Sequence, residues 1–192
     1  MSVQERKQRE RAERERLIVA TARELAEQRG WDAVTTRLLA ERIEYSQPVL
    51  YSHFRGKREI IGAVAIEGAA EMAAELRTAT SAAAGPRARV TALAHAYLDF
   101  AERNTAVYDA LFQLDGGLTF ANEDTPEPLK DAFAALMETV GEVAGDGVHP
   151  GLFTEVFWAA LHGLATLTRA GRLPRGDAER RVELLVDRLA QI

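Results

Sequence analysis

Residues 45 to 60 read YSQPVLYSHFRGKREI, and they crowd hydrogen-bonding side chains beside cations: Gln47, Tyr51, Ser52 and His53, then Lys57. A glutamine amide offers a donor and an acceptor side by side, the pattern that reads a base edge. Hydroxyl, imidazole and ammonium groups suit phosphate oxygens. This is binding chemistry, and little elsewhere suggests bond breaking. His95 and Asp99 stand four apart with Glu102 close behind, a spacing that could hold a divalent metal. No second histidine lies near by, and an Asp–His pair on a solvated or pocket face accounts for the spacing equally well. No glycine-rich phosphate loop, serine nucleophile elbow or His-Glu zinc motif occurs. The expectation is no metal, no cofactor and no enzymatic activity.

The elements around this cluster follow from apolar spacing. Leu17, Val19, Ala20, Ala22, Leu25 and Ala26 recur at three and four, and Gly30 offers a C-cap. Thr35 is an N-cap for a short helix carrying Leu38, Leu39 and Ile43; Ser46 caps another, with Pro48 in its first turn. The product is helix, tight turn, helix. Leu50 and Phe54 share an inward face, leaving Tyr51, Ser52 and His53 outward and Gln47, Pro48 and Val49 at the leading end. Lys57 opens the next helix with a cation and backbone N–H groups for phosphate.

Beyond lie helical patterns at about 57 to 77, 86 to 103, 104 to 112, 127 to 144, 151 to 169 and 177 to 190. Gly, Pro and Asn mark the breaks at 82 to 86, 115 to 126, 145 to 151 and 170 to 176. No segment alternates as a strand does. The fold class expected is all-α, with residues 1–56 a three-helix helix-turn-helix domain and 57–192 a larger helical bundle.

The 192 residues contain no cysteine, so disulfides and thiolate chemistry are absent and a reducing cytoplasm fits. No apolar run approaches the roughly 20 residues needed to cross a bilayer, so no membrane partner is expected. Net charge is −5, unevenly spread: residues 1 to 60 hold 13 Lys/Arg against 10 Asp/Glu, and the rest 11 against 19. The first third can approach a polyanion that the remainder would repel. QERKQRERAERER, residues 4 to 16, has six basic and four acidic residues. It reads as an arm along a nucleic-acid backbone or as a solvated helix extension with Glu–Arg pairs; the second reading is preferred.

The run TTRLLAERIEYSQPVLYSHFRGKREI, residues 35 to 60, resembles the DNA-binding segment of TetR-family transcriptional regulators. In these a Leu-Tyr-x-His-Phe pattern closes the recognition helix with a lysine soon after, here Leu50, Tyr51, His53, Phe54 and Lys57. A fainter likeness lies in FWAALHGLATL, whose Trp158, His162 and Gly163 resemble a Trp-His-Gly signature of one C-terminal subgroup. The resemblance implies that Gln47 and Val49 face bases and Pro48 touches backbone or a thymine methyl. It implies that Thr35, Thr36, Arg37, Tyr51, His53 and Lys57 meet phosphate. On helical geometry alone, Tyr51 as a core aromatic is the lesser reading beside phosphate contact, and His53 as a solvated or capped histidine stands nearly level with it. Many family members place glycine in the turn where this chain has Glu44 and Tyr45. That turn must avoid positive φ or tolerate a non-glycine residue there.

A single recognition helix reads few base pairs, so a homodimer on a near-palindromic double-stranded operator is expected. The apolar stripe Phe153, Val156, Phe157, Ala160 and Leu164, with Phe133, Met137 and Val140 from the preceding helix, is the candidate interface. His95, Tyr97, Phe100, Tyr108, Phe112, Phe120, Trp158 and His162 are the candidate pocket for the small-molecule effector that the resemblance implies; plain core is the competing reading. The function expected is a ligand-responsive regulator, most often a repressor. The alternative is a helical dimeric ligand-binding or scaffold protein without specific DNA binding.

Overall fold

The computed structural model describes residues 2–189, and among them every regular element is helical. Nine α-helices run in order: α1 Val3–Arg29, α2 Thr36–Arg42, α3 Gln47–Tyr51, α4 Lys57–Ser81, α5 Pro86–Arg103, α6 Thr105–Phe112, α7 Glu127–Val140, α8 Pro150–Arg169 and α9 Ala178–Leu189. Ala190, the expected end of the last helix, lies outside the described residues. Single 3₁₀ turns follow α1 and α7 and precede α9.

By packing, the chain divides into two compact units. One holds residues 1–68 and 104–124, the other 69–103 and 125–192. Residues 57–68 and 104–124, which the sequence reading grouped with the C-terminal bundle, therefore pack with the helix-turn-helix. The cause lies in α6: it packs against α1. The buried Trp31 indole donates to the Ala106 carbonyl at 2.8 Å, Arg23 to the Asn104 side chain at 3.0 Å, and the Val107 amide to Glu27 at 3.3 Å. Two glycines allow close approach. A Cβ on Gly62 would run into the Gly116 carbonyl, and one on Gly68 into the Val107 side chain.

α1 owes its length to both ends. Ser2 and Glu5 form a capping box at the start, and Gly30 at φ +77° closes the end with its amide on Ala26. Its core face is Ile18, Val19, Ala22, Leu25 and Ala26, all nearly inaccessible. Val34, Leu39, Leu50, Ile60 and Val64 complete the same core.

The second unit buries Val90, Leu93, Ala94, Tyr97 and Phe100 of α5 with Leu136 and Val140 of α7, Phe157 and Leu161 of α8, and Val182 and Val186 of α9. Arg77, in the part of α4 that belongs to this unit, binds Asp131 through two nitrogens at 2.9 and 2.7 Å and Glu138 through two more contacts at 3.0 and 2.8 Å. A planar guanidinium meets two carboxylates at once in this way, which holds both acids below the usual carboxylate range. No helix among the described residues is long and apolar enough to cross a membrane.

Candidate nucleic-acid interface

The interface is set by how α2 stops and α3 starts. Thr35 accepts the Leu38 amide at 3.1 Å and starts α2. The helix ends in paired bonds: Tyr45 N–H reaches the Ala40 carbonyl at 2.9 Å and Glu44 N–H the Glu41 carbonyl at 3.4 Å, while Glu44 sits at φ +58°. This is a Schellman closure with glutamate where glycine is usual. The turn thus takes the left-handed conformation and tolerates a side chain in it.

α3 then begins at the Ser46 cap, whose side chain makes no capping bond, with Pro48 in the first turn. Leu50, fully buried, is the anchor of this helix. Gln47 and Pro48 are exposed and Val49 is half-buried. Tyr51 is 50% exposed, which excludes the core reading, and its hydroxyl lies 3.2 Å from that of Thr36. Arg37 is exposed and turned along α2 by Glu41 at 2.9 Å.

His53 and Lys57 have partners inside this unit. The His53 side chain is only 4% exposed, and its Nδ1 lies 3.2 Å from Glu15 of α1. Glu15 also holds Arg11 at 2.9 Å, and Arg11 reaches the Ser52 carbonyl at 3.4 Å. The Lys57 ammonium donates to the Trp31 carbonyl. The first helix therefore grips the C-terminal end of α3, a role for Arg11 and Glu15 that sequence reasoning missed. Their place on the continuing core-side spacing of α1 was the available signal.

Behind this surface, Arg58 pairs with Asp115 at 2.9 Å. That guanidinium, and then the Gly117 amide, hold the Asp115 carboxyl below the usual carboxylate range.

The other candidate residues divide between the units. Tyr108 and Phe112 stack edge to face at 4.8 Å in the first unit, and Phe120 is half exposed on the following loop. In the second unit the Trp158 indole donates to the buried Tyr97 hydroxyl at 3.0 Å, and Phe133 stands edge-on to Trp158 at 6.4 Å. Phe100 is buried. His162 is half-buried, and burial, then Arg169, push its imidazole below the ordinary value. His95 meets Glu179 at 3.3 Å and lines a shallow groove of about 580 Å³ with Ala88, Thr91 and Ala92.

Of the candidate interface residues, Val140 and Phe157 are interior to their own unit, at 0% and 1% exposure. The same stripe closes the core from within, so these two are unavailable to another chain. Met137 and Val156 are exposed, Phe133, Phe153, Ala160 and Leu164 half-buried.

A short helix anchored by one buried leucine, presenting its leading end outward and packed against a capped partner helix, defines a helix-turn-helix nucleic-acid binder. Residues 18–64 match the family described as bacterial regulatory proteins, tetR family, and residues 90–189 the tetracyclin repressor-like C-terminal domain. The chain belongs to the TetR family.

It is 31% identical over 96 residues to the HTH-type transcriptional regulator YobS of Bacillus subtilis, covering 50% of each chain. It is 31% identical over 105 residues to the HTH-type transcriptional activator FasR of Mycolicibacterium smegmatis, covering 55% of this chain and 48% of that one. The chain thus spans about half the length of these curated relatives. A structure of a protein of unknown function from Rhodococcus sp. RHA1 superposes with a TM-score of 0.76 at 26% identity, covering 92% of this chain and 93% of that one.

Proposed function

We propose that this protein is a cytoplasmic, ligand-responsive transcriptional repressor that binds a near-palindromic DNA operator as a homodimer and leaves it when a small molecule binds. The observation that carries the reading is the outward leading end of α3. Gln47 and Pro48 face solvent and Val49 is half-buried beside them, on a helix whose position is set by Leu50, by the Tyr51–Thr36 hydroxyl pair and by the grip of α1. Such a helix enters a major groove with its first residues at base edges. Gln47 and Val49 read bases, Pro48 packs on a thymine methyl or the backbone, and Thr35, Thr36, Arg37, Tyr51 and Lys57 meet phosphates.

Dimerisation is supported by an exposed apolar strip in the second unit. Leu152 and Val156 are 60% and 59% exposed, joined by Met137 and Leu167. A stripe this apolar is covered in most soluble proteins. The effector is assigned to the aromatic cluster of Tyr97, Phe100, Trp158 and His162. Its binding acts on the helix-turn-helix along α4, which runs unbroken from Lys57 to Ser81. Only a ligand with different affinities for the two states can shift them.

Selection from a randomised duplex pool, followed by affinity against salt, tests the proposal. An enriched inverted repeat bound by two chains is expected. Weak, steeply salt-dependent binding without enrichment would replace it with a ligand-binding dimer that does not read DNA. Reporter transcription with the operator placed at the promoter decides the sign; FasR, named an activator, marks the opposite outcome.

A further inference from the structure

The N-terminal extension of α1 is a helix with no core to cover. Residues 3–14 are exposed, and the first fully buried side chain is Ile18. Charge pairing within it is selective. Arg6 faces Glu10 at 3.7 Å, Arg11 faces Glu15 at 2.9 Å, and Arg16 turns back to the Ala12 carbonyl. Lys7 and Arg14 meet no carboxylate among the described residues.

Lys7, Arg11, Arg14 and Ile18 are spaced four, three and four apart, so they share one face of the helix. Ile18 places that face on the core side, and the Arg11 contact to the Ser52 carbonyl places it beside the end of α3. Like charges at this spacing repel in the free protein. A polyanion alongside offsets that repulsion with cation–phosphate attraction.

We infer that Lys7 and Arg14, flanking Arg11, form a second nucleic-acid contact: a basic stripe that lies along the phosphates of the duplex next to the groove occupied by α3. The stripe spans on the order of 10 Å along the helix, about three base-pair rises. It contacts charge and shape only, since neither residue is held in a geometry that would read a base. The inference rests on the proposed duplex-binding function and adds residues outside the recognition helix. The arm reading of residues 4 to 16 is thereby preferred to the solvated extension, because the helix is capped and docked at its base.

The test compares wild type, the double variant Lys7→Gln/Arg14→Gln and the charge-retaining Lys7→Arg/Arg14→Lys on the selected duplex and on a random duplex, as a function of salt. Each phosphate contact contributes about 0.9 to the slope of log affinity against log salt. The neutral double variant should lose affinity on the order of tenfold and shallow the slope by up to about 2 on both duplexes, with half-site preference unchanged. The charge-retaining variant should restore both. Slopes and affinities equal to wild type for the neutral variant, with unaltered circular dichroism, would overturn the stripe. Failure of the pool to yield any selected duplex would sink the operator reading instead, and the random-duplex arm would still decide the stripe.

Discussion

The Tyr51 hydroxyl lies 3.2 Å from the Thr36 hydroxyl, which ties the last residue of the recognition helix to the first turn of the helix before it. Both groups are accessible to water, so the bond adds little to stability. Its effect is on orientation. Tyr51→Phe should lower unfolding free energy by less than about 1 kcal/mol yet reduce duplex affinity severalfold. Urea unfolding beside fluorescence anisotropy separates the two effects; equal losses in both would show that the hydroxyl serves folding alone.

Glu44 at φ +58° occupies the position where a Schellman closure favours glycine. A left-handed conformation costs a side-chain-bearing residue about 1–2 kcal/mol, offset in part by the larger unfolded-state entropy of glycine. Glu44→Gly is expected to stabilise the protein by about 0.5–1 kcal/mol, or a few degrees in Tm. Calorimetry with no gain would mean that the Glu44 side chain makes up the difference.

Gln47 and Lys57 should separate specificity from general affinity. Gln47→Ala should alter base preference at one position of each half-site, at about 1–3 kcal/mol for the preferred base. Lys57→Ala should weaken binding to every sequence and lower the salt slope by about 0.9. It also removes the bond to the Trp31 carbonyl, so a stability loss near 1 kcal/mol accompanies it. Uniform losses for both variants would contradict the division of roles.

Gly62 and Gly116 meet backbone to backbone. A Cβ on Gly62 would strike the Gly116 carbonyl, and one on Gly116 would come within 2.9 Å of the Gly62 Cα. Neither neighbour is a flexible chain end that can swing aside. Gly62→Ala should cost about 1–3 kcal/mol, the range for overpacking, and release the loop after α6. Hydrogen exchange over residues 113–124 should rise in this variant.

His162 carries a pH dependence. Burial and then the Arg169 charge hold its folded imidazole below the ordinary value of 6.5. The unfolded chain therefore takes up the proton first as pH falls, so stability is full above about 6.5 and declines as pH drops through the folded value. His162→Gln should flatten the decline between about pH 7 and 5. Denaturant midpoints across that range, unchanged by the substitution, would exclude the effect.

Much of this architecture was legible because it is local. Gly30, Thr35, Ser46 and Pro48 mark helix ends through backbone requirements that act within four residues, and all four stand at those ends. The outward set of α3 follows from one buried leucine and a period of 3.6. Illegible were the pairs that join distant stretches: Arg11 with Ser52, His53 with Glu15, Trp31 with Ala106. An exposed-looking histidine became a buried one because a helix nearly forty residues earlier covers it.

The sequence by itself determined the helical class, the order of elements, and the segment that crowds hydrogen-bonding side chains at the leading end and outer side of α3. Each of these depends on spacing and on caps, which the chain carries locally. Only the tertiary structure decided that α6 and its loop pack with the helix-turn-helix, and that Val140 and Phe157 face inward rather than toward another chain. It also decided that Arg11 of the first helix reaches the Ser52 carbonyl at the end of α3. An apolar or charged stripe states that a helix face needs a partner; which partner covers it is settled by packing of elements far apart in the chain.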